Sequence, residues 1–323
     1  MKIAFFSVEK GKQAPFVGAF PESEIVFIEE TLNEDTARKG SDADIACLFV
    51  DSSVSKSVID AMPNLKFIAT RSTGYNHIDV EYAKSKGIPV ANVPAYGSYT
   101  VAEFSFGLLL NLSRKIIEAS NYVKNSMDFH YNNSMEGFDL QGKTLGVVGT
   151  GRIGKNMVKI AKGFGMKIIA CDLYPDLDFA KEYGFEYKTL DQVLEESDIV
   201  SLHTPYSIDN HHILARENIS RMKRGAYVVN TARGELIDTE ALVWGLKEGI
   251  IAGAGLDVLE EEKSLKKGEA TKICDLNREL MKMPNVIITP HSAFFTVEAV
   301  DEISKVTVEN IKSFLAGKPE NLV

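Results

Sequence analysis

Arg233, Glu262 and His291 are spaced 29 residues apart and then 29 again, and each follows a short apolar run. AYVVN leads to TARG and Arg233, AGAGLDV to LEEE and Glu262, and NVIITP to His291. A guanidinium offers a carboxylate a planar fork that lysine lacks. An imidazole titrates near neutrality, so it can give a proton in one direction of a reaction and take it in the other. A carboxylate hydrogen-bonded to that ring favours its protonated form and fixes its orientation. The three together suit reduction of a 2-oxo acid, where the carbonyl oxygen needs a proton as hydride reaches the carbon. Singly, each has a plainer explanation. Arg233 could pin a loop, Glu262 could be one of three interchangeable surface acids, and His291 could finish a strand. Their shared position after strands, where open α/β sheets bind ligands, joins them.

Hydride needs a carrier, and the stretch LGVVGTGRIGKNM suggests which. Gly149, Gly151 and Gly154 are spaced G-x-G-x-x-G between a strand-like run at 144–148 and a helical pattern. A second run ends in Asp172, 18 residues after Gly154. This is a complete βαβ dinucleotide fingerprint. Gly149 serves the tight turn, Gly151 the close approach of a pyrophosphate, and Gly154 the packing of helix on strand. The free N–H groups of the helix start favour phosphate. Asp172 is expected to accept from the ribose 2′- and 3′-hydroxyls and to repel a 2′-phosphate, so NAD is favoured over NADP.

These residues need two blocks of β/α structure to hold them. KIAFFSV, EIVFIE, IACLFV, LKFIAT and PVANV alternate with helix-length segments, the rhythm of parallel strands buried on both faces. The rhythm restarts with TLGVVG, KIIACD, DIVSLH, AYVVNT, AGAGLDV and NVIITP. The predicted class is α/β with two doubly wound parallel-sheet domains, a flavodoxin-like substrate domain and a Rossmann NAD-binding domain. The expected boundaries are 1–99 plus 295–323 for the first, discontinuous domain and 100–294 for the second. Between the blocks, TVAEFSFGLLLNLSRKIIEASNYVK predicts one long helix with a Thr100–Glu103 capping box, buried between domains or making a subunit contact near 100–125. The charged run 259–272 reads as a solvated loop apart from Glu262, and 296–314 as an amphipathic helix that could return to the first block.

Composition excludes several classes. With 36 Lys and Arg against 45 Asp and Glu, the net charge is −9, which argues against a nucleic-acid surface and for a cytoplasmic protein. No apolar stretch is long enough to span a membrane, and no signal peptide is recognisable. Cys47, Cys171 and Cys274 are odd in number and far apart, so buried free thiols are expected, without a disulfide frame or a metal cluster. His211 and His212 read as exposed loop residues and carry no assignment.

The chain resembles the D-2-hydroxyacid dehydrogenase family over essentially its full length, on GTGRIG, VSLHTP, VVNTARGELID, AGLDVLEEE and PNVIITPH. The resemblance implies that Arg233, Glu262 and His291 are the catalytic residues. Glu262 is selected over Glu260 and Glu261 because it lies five residues after Asp257. Many members carry proline after this glutamate, where this chain has Lys263. Cofactor contacts are implied for Arg152, Ile153, Asp172, Thr204, Pro205, Thr231, Ala232 and Arg233, and for Asp257 at the nicotinamide carboxamide. His203, at a strand end, is expected to line the cofactor cleft.

In the first domain, the loop RSTGYNHID is implied to offer the Thr73 and Gly74 N–H groups to the substrate carboxylate. Finer features are similar to the D-lactate dehydrogenase branch: Tyr96 near the pocket, Asn210 on the cofactor side, and Phe294 three residues after the histidine. A bulky Phe294 would shorten the pocket and favour pyruvate, although larger 2-oxo acids stay open, because a methylene is discriminated by only ~1–3 kcal/mol. D-stereochemistry and a homodimer are likewise implied. The rival expectation is an NADH-sensing binding protein on the same fold.

Overall fold

The computed structural model describes residues 1–323, which divide into two compact units, Met1–Gly97 with Thr296–Val323, and Ser98–Phe295. The first unit begins with β1 (Lys2–Phe6), β2 (Glu24–Ile28), β3 (Ile45–Leu48), α1 (Lys56–Asp60), β4 (Phe67–Thr70), α2 (Val80–Ser85) and β5 (Val90–Ala91). All its pairings are parallel, in the order β2-β1-β3-β4-β5, the flavodoxin-like winding. Alternation along the strands feeds two cores. Ala4, Phe6, Ala46, Leu48 and Ile68 enter one cluster, and Ile3, Phe5, Ile45, Cys47 and Phe67 the other. A sheet apolar on both faces needs cover on both.

The second unit comprises α3 (Ser98–Arg114), α4 (Ile116–Ser126), β6 (Thr144–Val148), α5 (Arg152–Gly163), β7 (Lys167–Cys171), α6 (Leu177–Tyr183), β8 (Glu186–Tyr187), α7 (Leu190–Glu196), β9 (Ile199–Leu202), α8 (Arg216–Ile219), β10 (Ala226–Asn230), α9 (Thr239–Lys247), β11 (Ile251–Leu256), α10 (Glu262–Lys266), α11 (Lys272–Leu280) and β12 (Val286–Ile288). The chain then returns to the first unit as α12 (Val297–Leu315), capped by Thr296. There Ile311 is fully buried and the Phe314 ring stacks on Phe67 at 4.3 Å.

The second sheet runs β12-β11-β10-β9-β6-β7-β8, all parallel. Its winding reverses at β6, so the switch point lies between β6 and β9, where such sheets open a crevice at the strands' carboxyl ends. Cys171, Val148, Leu202, Asn230, Leu256 and Ile288 pair in one row across six strands. The loops that begin with Asp172, Gly149, His203, Thr231, Asp257 and Thr289 therefore leave one edge together, ~4.8 Å apart from strand to strand.

Five details differ from expectation. The long helix is two. Lys115 adopts φ 54, and the Phe138 N–H donates to the Ser113 carbonyl at 2.8 Å, taking an acceptor that a continuing helix would use. Burial explains why continuity is not needed: α3 buries Ala102, Phe106, Leu109 and Leu112, whereas α4 buries nothing. The start also shifts: α3 begins at Ser98, so Thr100 lies in its first turn and caps nothing. The run 259–272 holds α10 in place of a bare loop, with Lys266 four residues after Glu262, the favourable order for opposite charges on a helix. Finally, the two-residue β8 is too short to leave a periodic signal, and Cys171 is only half-buried while Cys47 and Cys274 are fully buried, all three free. No helix is long and apolar enough to cross a membrane.

Candidate active site

The three glycines of the turn answer to different demands. Gly149 has φ 91, and a Cβ there would stand 2.7 Å from the Thr204 nitrogen. A Cβ on Gly154 would stand 2.0 Å from the Gly149 carbonyl oxygen. The protein's own backbone excludes side chains at both. A Cβ on Gly151 would meet nothing within 4 Å. Gly151 thus opens space at the N-terminus of α5, which has no side-chain cap. Open space beside uncapped N–H groups fits a dinucleotide pyrophosphate. Asp172 braces this turn: its Oδ2 accepts from the Thr150 N–H at 2.5 Å and hydroxyl at 2.9 Å, and its Oδ1 accepts from the Tyr174 N–H at 2.8 Å. Arg152 and Ile153 form the first turn of α5, with Arg152 exposed and Ile153 half-buried.

Across the switch point, the His203 N–H donates to the Val148 carbonyl at 2.7 Å. Its ring Nε2 lies 2.8 Å from the Ser201 hydroxyl, and burial holds its pKa well below the ordinary histidine range, so the ring is neutral. Asn210 closes the loop that follows, donating to the Pro205 carbonyl and accepting from the Ser207 N–H, both at 2.7 Å. Thr204 sits at the start of that loop.

After β10, buried Asn230 shapes the turn. Its side chain accepts from the Ala232 N–H at 3.0 Å and donates to the Arg233 carbonyl at 2.8 Å. The Thr231 hydroxyl lies 2.8 Å from that of Ser105 on α3. Arg233 is half-buried, and its guanidinium donates to the Ala232 carbonyl at 2.6 Å.

The loops after β11 and β12 are tied together by Asp257, which is 1% exposed. Its carboxylate accepts from the Thr289 hydroxyl at 2.6 Å and from the Ser292 and Ala293 N–H groups, each at 2.9 Å. Its carbonyl accepts from the His291 N–H at 2.8 Å. Burial raises its pKa against the lowering pull of those bonds. Both carboxylate oxygens thus accept from the loop that carries His291, and an ionised carboxylate keeps acceptor capacity beyond these three bonds. His291 itself sits at φ 55, a backbone region that non-glycine residues occupy only when their surroundings enforce it.

His291 Nδ1 lies 2.8 Å from Glu262 Oε1, and both side chains are 27% exposed. Burial works to raise the Glu262 pKa, but the hydrogen bond and charge of His291 outweigh it and hold the carboxyl below its ordinary value. Both residues, with Asp257, line a cavity of about 680 Å³ whose walls include Leu112, Ile117, Leu265 and Met281. A proton carrier, an anion that holds it and an adjoining space can serve acid–base chemistry on a small molecule. Phe294, three residues on, is half-buried, and its ring meets Phe295 edge-on at 5.8 Å.

The first unit carries the remaining candidates. Thr73 donates its hydroxyl to the Val93 carbonyl at 2.8 Å, and the Gly74 carbonyl accepts from the Ser72 hydroxyl at 2.7 Å. Neither the Thr73 nor the Gly74 N–H is used in the protein's own hydrogen bonding, which suits an anion. Tyr96 is half-buried in the segment after β5. Sequence reasoning missed Asn230, Thr150 and Thr289. A polar residue closing the apolar run AYVVN was the one available signal for Asn230.

Residues 106–293 match the family model of the D-isomer specific 2-hydroxyacid dehydrogenase NAD binding domain. An aromatic 2-oxoacid reductase of Clostridium sporogenes is 46% identical over 269 residues, 80% of this chain and 78% of that protein. The D-lactate dehydrogenase of Escherichia coli is 37% identical over 336 positions, covering 100% of both. The crystal structure of D-lactate dehydrogenase from Aquifex aeolicus, complexed with NAD and lactic acid, is similar with a TM-score of 0.88 and 37% identity, covering 98% of this chain and 96% of that one. A fingerprint turn whose middle glycine is left open for a dinucleotide thus stands in a chain whose relatives share its whole course, and the protein belongs to the D-isomer specific 2-hydroxyacid dehydrogenases, NAD-dependent oxidoreductases of 2-hydroxy acids.

Proposed function

We propose that this enzyme reduces a 2-oxo acid to the D-2-hydroxy acid, with pyruvate as its preferred substrate. The observation that carries the reading is the 2.8 Å contact between His291 and Glu262 at the sheet edge that bears the glycine turn. Bound NADH supplies the hydride. His291 gives a proton to the carbonyl oxygen, and Glu262 stabilises the imidazolium before that transfer. Arg233 holds the carboxylate and polarises the carbonyl through its fork. On the first unit, Thr73 and Gly74, whose N–H groups no bond within the protein uses, and Tyr96 are the candidates to bind a carboxylate. Asp257, Thr204, Pro205, Asn210 and the 231–233 turn position the cofactor and the His291 loop. Phe294 limits the side chain that fits.

One observation favours a second reading. The relative with 46% identity reduces aromatic 2-oxo acids, and the Phe294–Phe295 pair would suit an aromatic side chain as well as exclude one. Steady-state NADH oxidation over pyruvate, 2-oxoisocaproate, phenylpyruvate, hydroxypyruvate and glyoxylate decides between them. The primary reading expects kcat/KM for pyruvate to exceed that of the others by ~10-fold or more, within the range one pocket can discriminate. Phenylpyruvate in first place establishes the second reading. No turnover of any of them sinks both.

A homodimer and a cytoplasmic location belong to the same reading. Exposed Ile116 and Ile117 on α4, with Met127, Phe129 and Tyr131 just beyond, are apolar surface that a second copy would cover. Light scattering at twice the chain mass is the expected result.

A further inference from the structure

The loop after β9 and the segment after β11 bring together three groups that the dehydrogenase reaction does not use. His212 Nε2 lies 2.8 Å from Glu260 Oε1, and the rings of His211 and His212 stack with centroids 3.7 Å apart. One donor atom from each of His211, His212 and Glu260 falls within 4.8 Å of the other two. We propose that these residues form a binding site for a divalent transition ion of the zinc and cobalt type.

The donor set selects the class. Two imidazoles and one carboxylate suit zinc, cobalt or nickel, whereas magnesium and calcium need oxygen ligands throughout. Bonds of ~2.0–2.2 Å in a tetrahedron separate neighbouring donors by ~3.3–3.5 Å. The His212–Glu260 pair therefore opens slightly and the widest pair closes, and exposed His211 is placed to make that adjustment. Water completes the fourth position.

The surroundings match what metal ligands require. A coordinating carboxylate is normally steadied through its other oxygen. Glu260 Oε2 accepts from the Thr239 hydroxyl at 2.7 Å and the Thr239 N–H at 3.3 Å. The Tyr206 hydroxyl lies 3.3 Å from His211 Nδ1 and orients that ring. The His212 N–H donates to the Glu235 carbonyl at 3.0 Å, which fixes the backbone where His212 adopts φ 54. An ordinary hydrogen bond accounts for His212 and Glu260 alone; it gives no reason for His211 and Tyr206 to converge on them. Bound metal would clamp the 206–212 loop to the start of the Glu260–Glu262 segment.

The test is titration of the full chain, saturated with NADH, with Co²⁺ alone, followed by the visible d–d spectrum. The expected result is one Co²⁺ per chain with the intense bands of four-coordinate cobalt. His211→Ala should weaken that binding by ~10-fold or more while leaving metal-free turnover unchanged. His291→Asn should bind Co²⁺ as the parent does, which separates this site from metal caught by the catalytic pair. Absence of saturable binding, an unchanged affinity in His211→Ala, or a loss confined to His291→Asn overturns the proposal.

Discussion

Two histidine–glutamate pairs stand side by side in the second unit. His291 meets Glu262 and His212 meets Glu260, each at 2.8 Å. Both histidines are held in the left-handed region, at φ 55 and φ 54. The pairs share residue types and distance but not the contacting nitrogen: Glu262 meets Nδ1 of His291 and leaves Nε2 free to face a substrate, whereas Glu260 occupies Nε2 of His212. Glu260 is 11% exposed in its side chain, and its second oxygen is occupied by Thr239. Glu262 is 27% exposed and lines the cavity with its histidine. His212 is 29% exposed, so only the carboxylate of that pair is enclosed, and a glutamate already spent on Thr239 can brace loops or hold an ion. A pair opening on a cavity can pass a proton to something that enters it. Function here follows from which ring nitrogen is left free and from the cavity beside it, because residue types and contact distance are shared.

The sharpest way to break that comparison is to remove each imidazole in turn. His291→Asn should lower kcat for 2-oxo acid reduction by ~10²- to 10⁴-fold, the usual worth of a general acid, while His212→Asn should stay within ~3-fold of the parent. Both are read from NADH absorbance at saturating substrate, with thermal unfolding as a control for folding. If His212→Asn costs as much turnover as His291→Asn, the free ring nitrogen and the adjoining cavity do not separate the pairs.

Removing the carboxylates is a smaller and more diagnostic change. Glu262 orients the His291 ring through its Nδ1, so Glu262→Gln should lower kcat ~10-fold while KM for NADH stays nearly unchanged, because a misplaced proton donor loses more in the transition state than in binding. The fold stability follows from the same interaction. Because the folded state holds Glu262 below its ordinary value of 4.5, its contribution is fully present above pH 4.5 and is lost as the pH falls through the lower, folded value. The parent should therefore exceed Glu262→Gln in melting temperature at neutral pH and converge on it in acid. Glu260→Gln should leave kcat in place and lower stability by ~1–3 kcal/mol, because an amide cannot accept through both ends and buried donors are left unmet. A comparable loss of kcat in Glu260→Gln would count against the division of labour.

This contrast also marks what the chain made legible. LEEE presents three consecutive glutamates, and the structure gives each a different fate: Glu260 turns to His212 and Thr239, exposed Glu261 accepts from the Thr271 hydroxyl at 2.5 Å, and Glu262 turns to His291. Periodicity cannot separate them, because Glu261 adopts φ 53 and breaks any regular alternation. Counting from Asp257 by family resemblance pointed to Glu262, while the partner of Glu260 lies 48 residues away and left no local trace. The parallel strands, by contrast, were readable almost one by one, since burial on both faces writes itself as runs of Val, Ile and Phe. The glycine turn was readable because two of its glycines answer to backbone contacts within the turn and at the next strand end. Its bracing by Asp172 and Thr150 was not, because hydrogen bonds between loop ends have no period.

The smallest expected effects come from the two threonines that brace the pairs. Thr239 supports Glu260 directly, and Thr289 supports Asp257, which in turn holds the His291 loop. Replacing either by valine keeps the shape and deletes one hydroxyl donor, worth ~1 kcal/mol of stability in each case. The losses should be equal in thermal unfolding and unequal in catalysis. Thr289→Val loosens the loop that presents the proton donor, so kcat should fall ~3- to 10-fold with KM for NADH nearly unchanged, because a slightly misplaced group loses more in the transition state than in binding. Thr239→Val should leave kcat at the parental value, since Glu260 reaches no reacting group. Equal kcat losses in the two variants would mean that the loops after β11 and β12 move as one body, and that the Glu260 pair shapes the Glu262 pair.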